Sequence, residues 1–145
     1  QAGAAGIEQV VRDMGRMDRG QVLSLQQQAD VLLMASWNTK ERIGVLTGKL
    51  PEYMMMGKPV ICCVAGDLPG SEVRRVLEDN MLGFCWEQPC AERDTPALEE
   101  YLREIIHRAR QGRPIGPEQG TAAVEQYAYP QIAGEFNSWI EEMCR

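Results

Sequence analysis

The stretch Gly44–Ile61, GVLTGKLPEYMMMGKPVI, decides the fold. Thr47-Gly48 reads as a turn in which either residue suits an N-cap, and Pro51 falls in the first helical turn, where a missing N–H costs little. Gly57 fits the left-handed residue past a helix end. Lys58-Pro59 then leads into the apolar run Val60-Ile61-Cys62-Cys63-Val64. The order is loop, short helix, tight turn, buried strand. Leu46, Leu50, Tyr53/Met54 and Gly57 share one face, suited to packing on a sheet, while Lys49, Glu52 and Met56 share another. A cation and a carboxylate one turn apart, beside free backbone N–H groups, suit a phosphorylated sugar-nucleotide. The same spacing is that of an ordinary surface ion pair, and by itself it leaves both readings open.

Upstream, Gln9–Met14 has the composition of a weak strand, ended by a turn at Gly15. Asp18 is the expected N-cap of a helix through Gln28 with Val22, Leu25 and Ala29 as its apolar stripe. Val31–Ala35 is apolar without alternation, the pattern of a parallel strand covered on both faces. Leu32, Leu33, Val60, Ile61 and Cys62 are therefore expected to be almost fully buried, so that Leu33→Asp would abolish soluble expression. Ser36–Arg42 reads as a polar loop beyond the strand's carboxyl end, where ligands bind in open α/β sheets.

Downstream, Ala65–Gly70 reads as a loop, Ser71 as the N-cap of a helix to Asn80, and Leu82–Trp86 as a short last strand. Pro89–Asp94 reads as a loop and Thr95 as the cap of a helix carrying Leu98, Tyr101/Leu102, Ile105/Ile106 and Ala109 at helical spacing. His107 stands among the arginines of its last turn and reads as a surface residue. Residues 112–120 form a Gly/Pro-rich connector to an amphipathic tail helix with Pro130 at its start and Ile132, Phe136, Trp139/Ile140 and Met143 on one face. Alternating strands and helices over 145 residues predict one α/β domain, residues 1–145, with a Rossmann-like, doubly wound parallel sheet.

Composition narrows the function. The formal net charge of −6 argues against a general nucleic-acid binder. No apolar run approaches a membrane span and no signal peptide is evident, so a cytoplasmic location is expected. The five cysteines show no C-x-x-C spacing. Cys62 and Cys63, neighbours on a strand, should point to opposite faces as small hydrophobes of a reducing compartment. A single histidine excludes a histidine-rich metal site.

The segments QQQADVLLMASW, GVLTGKLPEYMMMGKPVI and LEDNMLGFCWE together resemble the donor-binding C-terminal domain of GT-B glycosyltransferases, in particular the retaining family 4, or glycosyl transferases group 1. The TGKLPEYMMMGKPVI block is the specific part, and the resemblance covers roughly Met14 to Trp86. It implies transfer of a sugar from a nucleotide-diphosphate sugar to an acceptor, with no cofactor and no metal needed for binding. Glu52 matches the glutamate that holds the ribose hydroxyls. Leu46, Thr47 and Gly48 match the backbone that meets the diphosphate, with Lys49 a counter-charge beside it. Arg16 and Met17 match the turn near the nucleobase. The loop with Ser36, Lys40, Glu41 and Arg42 lies where phosphates and sugar would be approached.

The departures from that pattern carry expectations too. The family's second glutamate, eight residues before Glu52, is replaced here by Gly44, with Glu41 the nearest stand-in. The family domain opens with a further strand, loop and helix, and is preceded by an acceptor-binding domain. Against that pattern the chain reads as a donor half lacking its first strand and helix, inactive in isolation, whose full protein is compatible with peripheral membrane association. Two other readings share the fold: a non-catalytic nucleotide- or partner-binding module, and a fragment of a GT-B sugar-nucleotide epimerase. A response-regulator-like domain would need an acidic cluster at an early strand end, which Asp13 and Asp18 are poorly placed to make.

Overall fold

The computed structural model describes residues 6–42, 46–116 and 122–144. Its centre is a three-stranded parallel sheet in the order β1 (Leu32–Asn38), β2 (Val60–Gly66), β3 (Gly83–Glu87). β2 pairs on both sides, Leu32 with Val60 and Val60 with Gly83, and the two registers run on without a break. The helices are α1 (Arg19–Gln28), α2 (Lys49–Met55), α3 (Glu72–Asp79), α4 (Ala91–Arg110) and α5 (Tyr129–Met143). The chain is thus mixed α/β, with a parallel sheet flanked by helices, compatible with a Rossmann-like arrangement.

One face of the sheet forms the core. Leu32 and Met34 of β1, Val60, Cys62 and Val64 of β2 and Cys85 of β3 meet Leu50, Tyr53 and Met54 of α2 and Val73, Val76 and Leu77 of α3. The helical face expected for α2 is the one buried, and Gly57 takes the left-handed φ of +61° that ends it. Asp18 caps α1 through the Gln21 N–H, and the Gln21 side chain accepts from the Asp18 N–H, a complete capping box. Ser71 caps α3 through the Arg74 N–H. Cys62 is buried and Cys63 half-buried, on opposite faces as strand alternation requires.

The opposite face is covered unevenly. α4 lies over β3, where the Phe84 and Tyr101 rings are 5.6 Å apart. β1 is an edge strand whose residues alternate between buried and exposed, and Leu33 is 66 % exposed. Full burial of Leu33 is therefore not what the fold does. An unbroken apolar run marks a strand with two apolar faces, and whether a helix covers the second face is settled elsewhere in the chain.

Other boundaries also move. Gln9–Met14 is not a strand: a 3-10 turn at Glu8–Val10 is followed by exposed extended chain, which has no partner strand among the described residues. Ser36, Trp37 and Asn38 belong to β1, because pairing continues to Asn38 opposite Gly66. Leu25 faces solvent, and the buried residue of α1 is Gln26. α4 starts at Ala91, so Pro89–Asp94 is not a loop and Thr95 is not a cap; Thr95 Oγ1 instead accepts from Trp86 Nε1 at 3.0 Å. Leu102 and Ile106 are exposed, as is His107. Of the connector, residues 112–116 are described, and the remainder and Gly44 lie outside the described residues. α5 begins with Pro130 in its first turn and leaves Ile132, Phe136, Trp139, Ile140 and Met143 exposed.

Backbone crowding fixes one strand start. Gly83 has φ +154°, and a Cβ there would lie 1.9 Å from the Val60 carbonyl oxygen, which no side-chain movement relieves. Gly83→Ala is expected to destabilise the chain by at least about 2 kcal/mol. Leu33→Asp, on the uncovered face, should cost no more than about 1 kcal/mol, whereas Val64→Asp, which buries an unpaired charge, should prevent folding. Urea denaturation followed by circular dichroism separates the three.

Candidate functional site

Glu52 sits in the first turn of α2, on the side turned toward α1. Its Oε1 accepts from Gln26 Nε2 at 2.8 Å and its Oε2 pairs with Arg19 at 3.2 Å. The Glu52 side chain is only 14 % exposed, while that of Arg19 is 76 % exposed. The surface pair between Lys49 and Glu52 suggested by their spacing does not form. Lys49 is exposed and has no ion pair among the described residues, because the packed face of α2 turns Glu52 inward against α1.

Arg19 follows the turn expected near the nucleobase by two residues. In that turn Gly15 takes φ +61° and donates its N–H to Asp13 Oδ1 at 2.8 Å, with Arg16 exposed and Met17 half-buried. The fold thus brings Glu52 to the start of α1, next to Arg16 and Met17 in sequence. Leu46 packs against the core, and Thr47 O accepts the Leu50 N–H at 3.0 Å, which opens α2. Gly48 precedes the helix with no side-chain cap.

The third predicted cluster stands apart. Ser36 is buried within β1 and is not part of a loop, because it pairs opposite Val64. Lys40, Glu41 and Arg42 are exposed in a tight turn held by Thr39, whose N–H donates to Arg42 O. The Lys40 N–H donates to Asp67 Oδ1, and a shallow cavity of about 540 Å³ opens among Thr39, Lys40, Glu41, Gly66, Asp67 and Gln88. It lies at the carboxyl ends of the strands, as open α/β sheets favour. No hydrogen bond or ion pair joins Glu52 to Lys40, Glu41 or Arg42 among the described residues.

A second charged group lies deeper. Arg74 of α3 pairs with Glu87 at 3.1 Å, with Glu78 at 2.9 Å and with Asp94 of α4. Glu87 also accepts the Gly70 and Ser71 N–H groups, and Asp94 accepts the Glu87 N–H. Burial pushes the Glu87 carboxyl upward, but hydrogen bonds from Ser71 and Gly70 and the Arg74 charge outweigh it, and its pKa is lowered. Asp94 behaves alike: burial raises it, and Arg93, the Glu87 N–H and Arg74 bring it below its ordinary value. Glu87, Cys90 and Asp94 bring ligand-type atoms within 4.8 Å of one another, and the two carboxylates among them also face Arg74. On the sheet, Cys62 stands opposite Cys85 in register; contact with Cys85 and burial keep the Cys62 thiol protonated.

Sequence reading missed Arg19 and Gln26 as partners of Glu52. The signal was present: Gln26 occupies the i+4 position between Val22 and Ala29, a polar residue inside an apolar stripe. No protein-family model matches the chain, and no curated protein and no solved structure matches it.

The Arg74 cluster sets an acid limit. Carboxyls with lowered pKa contribute stability that is complete above their ordinary value and is lost as pH falls through the lowered one. The melting temperature should therefore fall as pH drops below the ordinary carboxylate range. Arg74→Met leaves the buried Glu87 without its cation and Asp94 with only the exposed Arg93, and should cost about 3–5 kcal/mol at neutral pH. That deficit should shrink on acidification as the carboxylates take up protons, which thermal melts across pH will read.

Proposed function

We propose that this chain is the donor-binding domain of a glycosyltransferase of GT-B type, resembling the retaining family 4, and that it holds a nucleotide-diphosphate sugar. The observation that carries the proposal is the contact of Arg19 with Glu52. It brings the Glu52 carboxylate against the residue two positions beyond the turn that the resemblance assigns to the nucleobase, which supports a single ligand meeting both. A carboxylate accepts two O–H bonds from a vicinal diol, which is the recognition a ribose requires. Arg19 holds Oε2 from an exposed position and can leave it for solvent or for a ligand phosphate.

The remaining roles follow the resemblance. Leu46, Thr47 and Gly48 offer backbone to the diphosphate and Lys49 its charge, while Arg16 and Met17 flank the base. Lys40 and Arg42 offer cations to the phosphates or the sugar, with Glu41 beside them. The acceptor and the transfer chemistry belong to a larger protein of this type. Ser36 takes no part, being enclosed in β1.

The experiment is a titration of the chain with a nucleoside, its diphosphate and its diphosphate sugar, across the common bases. Hydrogen bonds to a charged group contribute about 1.5–3 kcal/mol, so Glu52→Gln should weaken nucleotide binding by roughly ten- to a hundredfold. Stability should change by at most about 1 kcal/mol through the exposed Arg19 partner. Lys49→Ala should weaken the diphosphate more than the bare nucleoside. Equal binding of every ligand by wild type and Glu52→Gln would overturn the proposal.

A further inference from the structure

Gln26 is the buried residue of α1, at 8 % exposure. An apolar side chain would fill that place without a desolvation cost. Its amide Nε2 donates to Glu52 Oε1 at 2.8 Å, while its own Oε1 is buried without a hydrogen-bond partner among the described residues. Chemistry fixes that orientation. A carboxylate only accepts, so the amide must turn its NH₂ toward Glu52 and its carbonyl away. Position 26 thus keeps a polar group whose one bond serves Glu52 and whose other end goes unsatisfied.

We infer that Gln26 is a positioning residue of the ribose site, fixing the plane of the Glu52 carboxylate so that Oε2 faces a vicinal diol; the inference rests on the ribose role proposed for Glu52. The terminal torsion of a glutamate is broad, so an unheld carboxylate samples many orientations. A donor held by burial on one oxygen removes that freedom before the ligand arrives, and preorganisation of this kind raises affinity without touching the ligand. Each carboxylate oxygen has two lone-pair sites, so Oε1 can accept from Gln26 and still accept a hydroxyl. Arg19 cannot play this part, because it is exposed and occupies the oxygen a ligand must reach.

Uridine, guanosine and adenosine diphosphates and their 2′-deoxy forms, titrated calorimetrically into wild type, Gln26→Leu and Gln26→Met, test the role. The readout is the ratio of 2′-deoxy to ribo dissociation constants, from which any loss of folded protein cancels. A merely structural residue would leave this ratio unmoved. Wild type should prefer the ribo form of its diphosphate by roughly three- to tenfold, and both variants should fall to within about twofold of unity. A wild-type ratio retained in the two variants overturns the role of Gln26 and leaves that of Glu52 standing. A ratio of one in wild type for all three diphosphates overturns the ribose role of Glu52, and that of Gln26 with it. If neither variant folds by circular dichroism, Gln26 is a structural residue and the inference also fails.

Discussion

A buried guanidinium has to be answered by carboxylates, and the answer to Arg74 holds three elements in one arrangement. Arg74 stands on α3, Glu87 ends β3 and Asp94 lies in the first turn of α4. Glu87 binds the N-terminal N–H groups of α3 with the same carboxylate that meets Arg74, so the helix cap and the ion pair are one device. Asp94 in turn takes the Glu87 N–H, which ties the end of the sheet to the helix after it. Removing one member leaves the others charged in a low-dielectric site, and such a cluster specifies a geometry more than it adds stability. The carboxyl end of the sheet, where the Thr39–Arg42 turn and Asp67 sit, is framed by it.

The chain uses carboxylates in two contrasting ways. Glu87 is fully enclosed, with Arg74 and the Gly70 and Ser71 N–H groups as its donors, and Asp94 meets Arg74 and the Glu87 N–H from within and the exposed Arg93 from outside. Glu52 is also nearly enclosed, yet one of its two partners, Arg19, is held from solvent. A carboxylate held by a buried cation is a structural part, whereas one whose cation reaches it from solvent has an oxygen to offer. The framework carboxylates share the buried cation Arg74, whereas the cation that meets Glu52 is exposed.

The sheet shows how helices decide what strands mean. β1 and β2 have similar apolar sequences, but among the described residues β2 lies between two strands while β1 has one neighbour. α4 shields the second face on the β3 side, leaving Leu33 and Trp37 of β1 exposed. The apolar stripe of α5 is likewise exposed, since α5 contributes no buried residue.

By itself the sequence determined what depends on short range. Asp18 and Ser71 as caps, Gly57 as the left-handed stop of α2, Pro130 at the start of α5 and the opposite faces of Cys62 and Cys63 all follow from backbone sterics and orphan N–H groups within a few residues. The parallel pairing of β1 with β2 was legible as well, because a helix joins two apolar runs. Tertiary structure decided the rest. That Leu33 is bare, that Ser36 is inside a strand, that Pro89–Asp94 turns directly into a helix, and that Glu52 meets Gln26 and Arg19 instead of Lys49 are all set by contacts across many residues. Local pattern fixes which side of an element is apolar or charged. Only the packed chain fixes what comes to lie against that side.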